Sequence, residues 1–388
     1  MTLPYAEIIL KKGKEKSIEN FHPWIFSGAV AQKPETLKDG DPVHVFSAGK
    51  EFLATGIFHY SSIAVRILSF RKELLDENFW IEKIKNALAL RQALQLYNNN
   101  ATNAYRLIHG EGDGISGLII DVYGKHVVMQ AHVQGIFNFR KEITHALQTT
   151  LNPETIYDKS EDTFFTADEN RFLSGTYSNC EIKENNLVFY VNWEEGQKTG
   201  FFNDQRDNRK LLQNFCKDKS VVNLFAYSGG FSVYALAAGA KKVDSVDSSA
   251  KAKQWAENNV ALNKLNHHQF YCEDVFQFIK NSDEQYDVWI VDPPAFAKRI
   301  DTVKNAMIGY RNLNTAVLRK AKSQSIVFTF SCSQAIDKEL FRKLIFQSAK
   351  QASRQVKILH QLSQPADHPV SIYHPEGEYL KGLILYVS

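Results

Sequence analysis

No stretch of this 388-residue chain reaches the ~18 consecutive apolar residues of a transmembrane helix; Val233–Ala238 is typical of its longest apolar runs. The order of a secretory signal, basic first and apolar second, is missing as well. Ile8, Ile9 and Leu10 come before Lys11, Lys12, Lys14 and Lys16. These absences predict a cytoplasmic protein with no membrane partner. Cysteine is scarce. Cys180, Cys216, Cys272 and Cys332 form no C-x-x-C pair and lie near no histidine at zinc spacing. That excludes a disulfide framework and gives no reason to expect a metal, so each reads first as a small buried free thiol. A strong charge of one sign is also lacking: the net charge is +3, which admits a nucleic-acid partner without arguing for one. The G-x-G-x-x-G dinucleotide fingerprint is absent, which sets a dehydrogenase aside.

What is present is an ordinary apolar fraction, 44%, over a length suited to two or three domains of about 100–200 residues each. Residues 1–72 read as all-β. Turn signals at Gly40-Asp41-Pro42 and Ala48-Gly49-Lys50 flank short apolar runs, and Ile63, Val65 and Ile67 alternate with Ala64, Arg66 and Leu68. A charged stretch, Arg71–Asn78, reads as a linker. Residues 73–192 mix classes. An apolar stripe predicts a helix over Phe79–Tyr97, a hairpin is expected around Tyr123-Gly124-Lys125, a second helix over Phe137–Thr149, and a strand at Leu187–Asn192. Over 193–388 strands and helices alternate. Strands are expected at Ser220–Phe225, Lys242–Val246, Gln269–Cys272, Tyr286–Val291 and Ser325–Phe330, and the longest helices over Thr302–Lys320 and Ala335–Ala352. Such alternation implies a parallel sheet covered on both faces, which binds ligands at the carboxyl ends of its strands.

The residues just past each strand therefore matter most. The first strand is followed by Ala226-Tyr227-Ser228-Gly229-Gly230, small residues opening a helix, which suit either a ligand or a tight turn. Asp247 follows the second strand, where an acid can accept from ribose hydroxyls or cap the next helix. Asp274 follows the third and has the same two readings, with an adenine amino group as the ligand. After the fourth comes Asp292-Pro293-Pro294-Ala295-Phe296, in which two prolines fix the backbone and Phe296 offers a flat face to a base. After the fifth comes Ser331-Cys332-Ser333. If the last two strands are neighbours, Cys332 lies beside Asp292 at one rim.

Together these segments resemble class I S-adenosylmethionine-dependent methyltransferases, and more closely the bacterial 23S rRNA (cytosine-5)-methyltransferase I family. The resemblance covers nearly the whole chain. It is carried by Phe21-His22-Pro23-Trp24-Ile25-Phe26-Ser27-Gly28, by Gly196-Gln197-Lys198-Thr199-Gly200-Phe201-Phe202-Asn203-Asp204-Gln205-Arg206, by Asp292-Pro293-Pro294 with Ser331-Cys332-Ser333, and by Ala366-Asp367-His368-Pro369. It implies an α/β fold: a β-rich PUA RNA-binding domain over 1–72, a small α+β domain over 73–192, and a Rossmann-like seven-stranded methyltransferase domain over 193–388 whose last strand is antiparallel, with Leu380–Val387 as its candidate.

The resemblance further implies S-adenosyl-L-methionine as cofactor and 5-methylcytosine in 23S ribosomal RNA as product. Cys332 would attack carbon 6 of the cytosine, Asp292 would bind the base, and Pro293, Pro294 and Phe296 would hold its ring. The cofactor would lie against Phe225, Ser228, Gly229, Gly230, Asp247 and Asp274, with Lys198, Thr199, Phe201, Asp204 and Gln205 closing over it. Lys11, Lys12, Arg66, Lys298 and Arg299 are candidate RNA contacts, and His368 is a candidate base for the carbon 5 proton. The expected partner is rRNA before full ribosome assembly; a homodimer stays open. So do methylation of uracil C5 or a purine nitrogen, and a non-catalytic RNA-binding protein.

Overall fold

Half-buried alternating segments build the first sheet. Strands β1 (Ala6–Leu10), β2 (Trp24–Phe26), β3 (Val30–Gln32), β4 (Pro42–Phe46), β5 (Phe52–Phe58) and β6 (Ile63–Ser69) form six strands in the order β2-β6-β5-β4-β1-β3. A one-turn helix α1 (Lys16–Glu19) follows β1. Only β1 and β4 run parallel. Ile8, Val43, Val45, Val65 and Ile67 fill the core of this sheet.

Helix α2 (Glu77–Ala93) starts within the expected linker, because the Asp76 carboxylate accepts from the Phe79 N–H at 3.0 Å and caps it. A second sheet then runs β11-β10-β9-β8-β7, from β7 (Ala104–His109), β8 (Leu118–Tyr123), β9 (His126–Ala131), β10 (Thr155–Asp158) and β11 (Arg171–Ser174). The expected hairpin is the β8–β9 pair, with Tyr123 opposite His126 and Gly124 at φ +62°. The single expected helix over Phe137–Thr149 is two, α3 (Gln134–Asn138) and α4 (Arg140–Leu151), separated at Phe139. Strands β12 (Asn179–Glu184) and β13 (Leu187–Asn192) form a two-stranded ribbon. Its turn residues, Asn185 and Asn186, both have positive φ, as a two-residue type I′ hairpin requires.

The last sheet has seven strands: β14 (Ser220–Leu224), β15 (Lys242–Asp247), β16 (His268–Cys272), β17 (Val288–Val291), β18 (Ser325–Ser331), β19 (Val356–Leu362) and β20 (Lys381–Val387), ordered β16-β15-β14-β17-β18-β20-β19. The first five are parallel, and β20 runs antiparallel to both β18 and β19. Helices α5 (Arg206–Leu212), α6 (Gly230–Ala237), α7 (Ala250–Leu262), α8 (Val275–Asn281), α9 (Val303–Lys320) and α10 (Lys338–Gln351) accompany it. Strand β17, Val-Trp-Ile-Val, is buried throughout, as a strand covered on both faces should be.

This computed structural model describes residues 5–160, 171–282, 285–296 and 303–388. They fall into two compact units. One comprises Met1–Ile182, Val191–Phe201 and Ala366–Gly377; the other comprises Lys183–Tyr190, Phe202–Pro365 and Glu378–Ser388. Both of the earlier large sheets belong to the first, and the seven-stranded sheet belongs to the second. Among the described residues no helix is long and apolar enough to cross a membrane.

Candidate active site

Because β14 to β18 are parallel, the loops that follow them all leave one edge of the sheet. At its centre β17 and β18 are neighbours, with Val291 opposite Thr329. Asp292 and Cys332 therefore emerge side by side. The Cys332 sulfur lies 4.0 Å from the Pro293 carbonyl oxygen and is only partly buried. The other thiols differ. Burial pushes Cys216 and Cys180 up to about 12, and Cys272 is exposed with its sulfur 3.6 Å from the Ser248 carbonyl. Cys332 alone of the four adjoins the Asp-Pro-Pro segment.

A relay of amides orients Asp292. The Gln205 Nε2 donates to Asp292 Oδ2 at 3.0 Å. Asn208 Nδ2 donates to Gln205 Oε1 at 2.7 Å, and to the Ser363 carbonyl at 3.2 Å. The Asn208 donor fixes which end of the Gln205 amide faces the carboxylate. Asp204, next in the chain, accepts from the Tyr379 hydroxyl at 2.7 Å. The sequence reading puts both Gln205 and Asp204 at the cofactor; the structure bonds Gln205 to the carboxylate of the reactive pair. No periodicity or motif in the sequence marked Asn208. Its signal is its position one helical turn after Gln205.

Pro293 is buried and Pro294 exposed. The Phe296 ring packs 4.7 Å from the Tyr310 ring on α9, where Gly309 leaves room for it: a Cβ there would lie 3.0 Å from Phe296 Cδ2. The Tyr310 hydroxyl meets Ser333 Oγ at 2.9 Å, which ties α9 to the Cys332 loop.

The cofactor side lies after β14 to β16. The β14 loop turns sharply: Phe225 and Tyr227 have φ of +60° and +46°, and Gly229 has +75°. Such conformations are costly for residues with side chains and persist where neighbours impose them. Here Tyr227 N–H donates to Asp247 Oδ2 at 3.0 Å, and Asn259 Nδ2 holds the Ser228 carbonyl at 2.8 Å. At Gly229 a Cβ would sit 2.9 Å from Ala256 Cβ, so only glycine lets the loop press against α7. Asp247 Oδ1 also accepts from Ser249 N–H at 3.0 Å. A carboxylate has about four lone-pair sites, so two remain for a ribose. Asp274 is exposed and caps α8, accepting from Gln277 N–H at 3.0 Å through Oδ1. The small residues, the strained turn and the doubly held Asp247 fit S-adenosylmethionine.

The remaining expected site residues sit in the first unit or beyond the described residues. Thr199 is buried there, donating to Asp121 at 2.6 Å and meeting the Tyr123 hydroxyl at 2.9 Å. Phe201 is buried there too, its N–H donating to Tyr123 Oη at 3.3 Å. Lys198 is exposed, as are Lys11 and Lys12. Arg66 is not a free surface cation: it donates to Glu111 at 3.0 Å and Ser116 at 2.9 Å and lies over the Trp24 ring. His368 is buried, beside Asp367 at 3.2 Å and the His109 ring. Lys298 and Arg299 lie outside the described residues.

Comparisons with known proteins agree with this geometry. Residues 8–70 match a PUA-like domain model, and residues 163–356 match an S-adenosylmethionine-dependent methyltransferase model. The chain is 35% identical over 395 residues to a ribosomal RNA large subunit methyltransferase I of Alteromonas mediterranea, covering 99% of each protein. Two solved structures, each 24% identical and covering 98% of this chain and 99% of the other, share its fold. One is a candidate S-adenosylmethionine-dependent methyltransferase from Streptococcus mutans, with a TM-score of 0.85; the other, at 0.86, is a candidate methyltransferase with SAH bound.

Proposed function

The chain belongs to the ribosomal RNA large subunit methyltransferase I family, and from that premise we propose that it makes 5-methylcytosine in 23S ribosomal RNA through a covalent adduct with Cys332. The observation that carries this reading is a half-exposed thiol 4.0 Å from the carbonyl of an Asp-Pro-Pro segment, at the rim where the cofactor loops also end. S-adenosylmethionine, when bound, supplies an electrophilic methyl group.

Carbon 5 of cytosine is too weak a nucleophile to take that methyl unaided. A Cys332 thiolate adding to carbon 6 forms an S–C6 bond and pushes the ring's π electrons toward carbon 5 and N3. Asp292, already oriented by Gln205, meets the base with its carboxyl protonated: it accepts from the exocyclic amine and passes its proton to N3 as the charge shifts there, leaving a carboxylate that Gln205 holds. Once carbon 5 is methylated, its proton passes to a water molecule, N3 returns its proton to Asp292, the C5–C6 double bond re-forms and the S–C6 bond breaks to free Cys332. His368 does not serve as the base in this reading, since its ring is packed against Asp367 and His109. A target base must leave its stack to reach the thiol, which favours cytoplasmic rRNA not yet locked into the assembled particle. The division at 1–72, 73–192 and 193–388 stays part of this reading, with the first segment as the RNA-binding module.

The test is methyl transfer from labelled cofactor to 23S rRNA lacking modifications, naked or as the assembled subunit, followed by mass analysis of the nucleosides. The expected product is 5-methylcytosine, and Cys332→Ala should lose at least ~10³-fold in rate. A methylated purine, or a Cys332→Ala protein working at the wild-type rate, removes the covalent mechanism. A protein that neither binds S-adenosylmethionine nor methylates either substrate is the non-catalytic binder.

A further inference from the structure

We propose that Lys381 is the counter-ion of the Cys332 thiolate, holding the nucleophile ionised before RNA arrives. The inference rests on Cys332 being the nucleophile and names the group that activates it.

The β18–β20 ladder sets the geometry. Lys381 opens β20 and pairs directly with Ser331, the residue before Cys332. Its ammonium reaches past that position and donates to the carbonyl of Ser333, the residue after Cys332, at 2.7 Å. The cation thus brackets the three-residue turn that carries the thiol. It does not escape to water as a surface lysine would, since Lys381 is 3% exposed.

An ammonium has three N–H donors and a full charge. Among the described residues, the Ser333 carbonyl is the one hydrogen-bonding partner of Lys381, and no carboxylate lies within 4.0 Å of it. Glu378, the acid just before β20, is paired with Lys338. A buried cation is otherwise matched by an anion. The group beside it that becomes an anion during the reaction is Cys332. Titration agrees in direction. Burial brings the Lys381 ammonium down to about 8; negative charge on Cys332 pulls it back up, helped by Glu378 and Asp337 and opposed by Lys338. The thiol then gives its proton to solvent: the S–H bond breaks, and the thiolate left behind is held by the Lys381 ammonium as an ion pair. The thiolate pair then forms the S–C6 bond, and the ammonium keeps its proton.

A purely structural lysine, there only to brace the Ser333 carbonyl, would not change the ionisation of the thiol. The experiment is therefore the pH dependence of iodoacetamide labelling at Cys332 in the full-length protein without RNA, read by peptide mass. In the wild type the labelling midpoint should fall below the ~8.5 of a free thiol. Lys381→Met should raise it by at least about one unit and slow labelling at pH 7 about tenfold. Lys381→Arg, which keeps the charge, should stay near the wild type. Turnover of Lys381→Met should fall about tenfold at pH 7 and recover as pH rises, with the KM for S-adenosylmethionine unmoved. A wild-type midpoint at or above ~8.5, or equal midpoints in wild type and Lys381→Met, overturns the proposal. If Lys381→Met does not fold, the wild-type midpoint alone decides. Loss of the nucleophile reading shows itself separately, as a Cys332→Ala protein with full activity.

Discussion

Two buried cations divide the molecule into instructive halves. In the first unit Arg91 is fully buried, and every direction of its guanidinium is answered. It makes a two-pronged pair with Asp113, and its Nε and Nη2 donate to the carbonyls of Arg106 and Asp367 at 2.7 Å. In the second unit Lys381 is nearly as buried but meets a single carbonyl. The second unit is not careless with charge elsewhere: its Arg209 grips Glu184 through two bonds of 2.7 Å and donates to the Phe202 carbonyl at 3.0 Å. The difference lies in what each cation is for. A matched arginine joins segments far apart in the chain, since Asp367 is 276 residues from Arg91. The unmatched lysine stands where the reaction generates its own anion.

The comparison breaks most visibly in stability. Glu184→Gln keeps the shape and removes the negative charge that the buried Arg209 grips through two bonds. It should cost about 3–5 kcal/mol, read as a lower urea midpoint. Asp113→Asn should do the same to Arg91. Lys381→Met, which removes a cation that has no carboxylate to orphan, should shift the midpoint little or upward. Equal losses at Glu184 and Lys381 would put both in the same structural class.

A smaller effect tests the relay behind Asp292. Gln205→Ala removes one donor to a carboxylate that carries developing charge, so kcat should fall about 10–100-fold, with the KM for S-adenosylmethionine unchanged. The alternative outcome is as informative. A raised KM with unchanged kcat would return Gln205 to the cofactor loop where its sequence context puts it.

The sequence carried the chemistry that sits in local segments and missed what register and long-range return create. The Asp292 and Cys332 loops were legible because a parallel sheet sends the residue after each strand to one edge, so order along the chain becomes neighbourhood in space. The Gly229 turn was legible for the same reason. Lys381 was not, because its place beside Cys332 comes from the antiparallel register of β20 on β18. The Thr199–Asp121 bond spans 78 residues, and the Arg106 backbone bond to Asp367 spans 261; neither has a local pattern. Strand β19 hid for a different reason: it is an edge strand with Ile358 and Leu359 exposed, so its side chains do not alternate between core and solvent.

Arg66 marks the middle of the scale between Arg91 and Lys381. Its partner Glu111 also accepts from Trp24 Nε1 at 2.8 Å and from the Ser116 hydroxyl at 2.5 Å. Burial pushes the Glu111 carboxyl up, but the Ser116 hydroxyl and the Arg66 guanidinium outweigh it and hold the group below its ordinary value. A carboxyl depressed in the folded state adds stability above its unfolded pKa, and that stability is lost as pH falls through the folded one. The acid limb of unfolding below the ordinary carboxylate range should therefore flatten in Glu111→Gln, with about 1 kcal/mol lost near neutral pH because both side chains keep some solvent. Arg66→Met should repeat that loss and leave RNA affinity in place. If it weakens RNA binding without touching stability, the guanidinium belongs to the RNA surface after all, and a matched cation is not by itself the mark of a structural one.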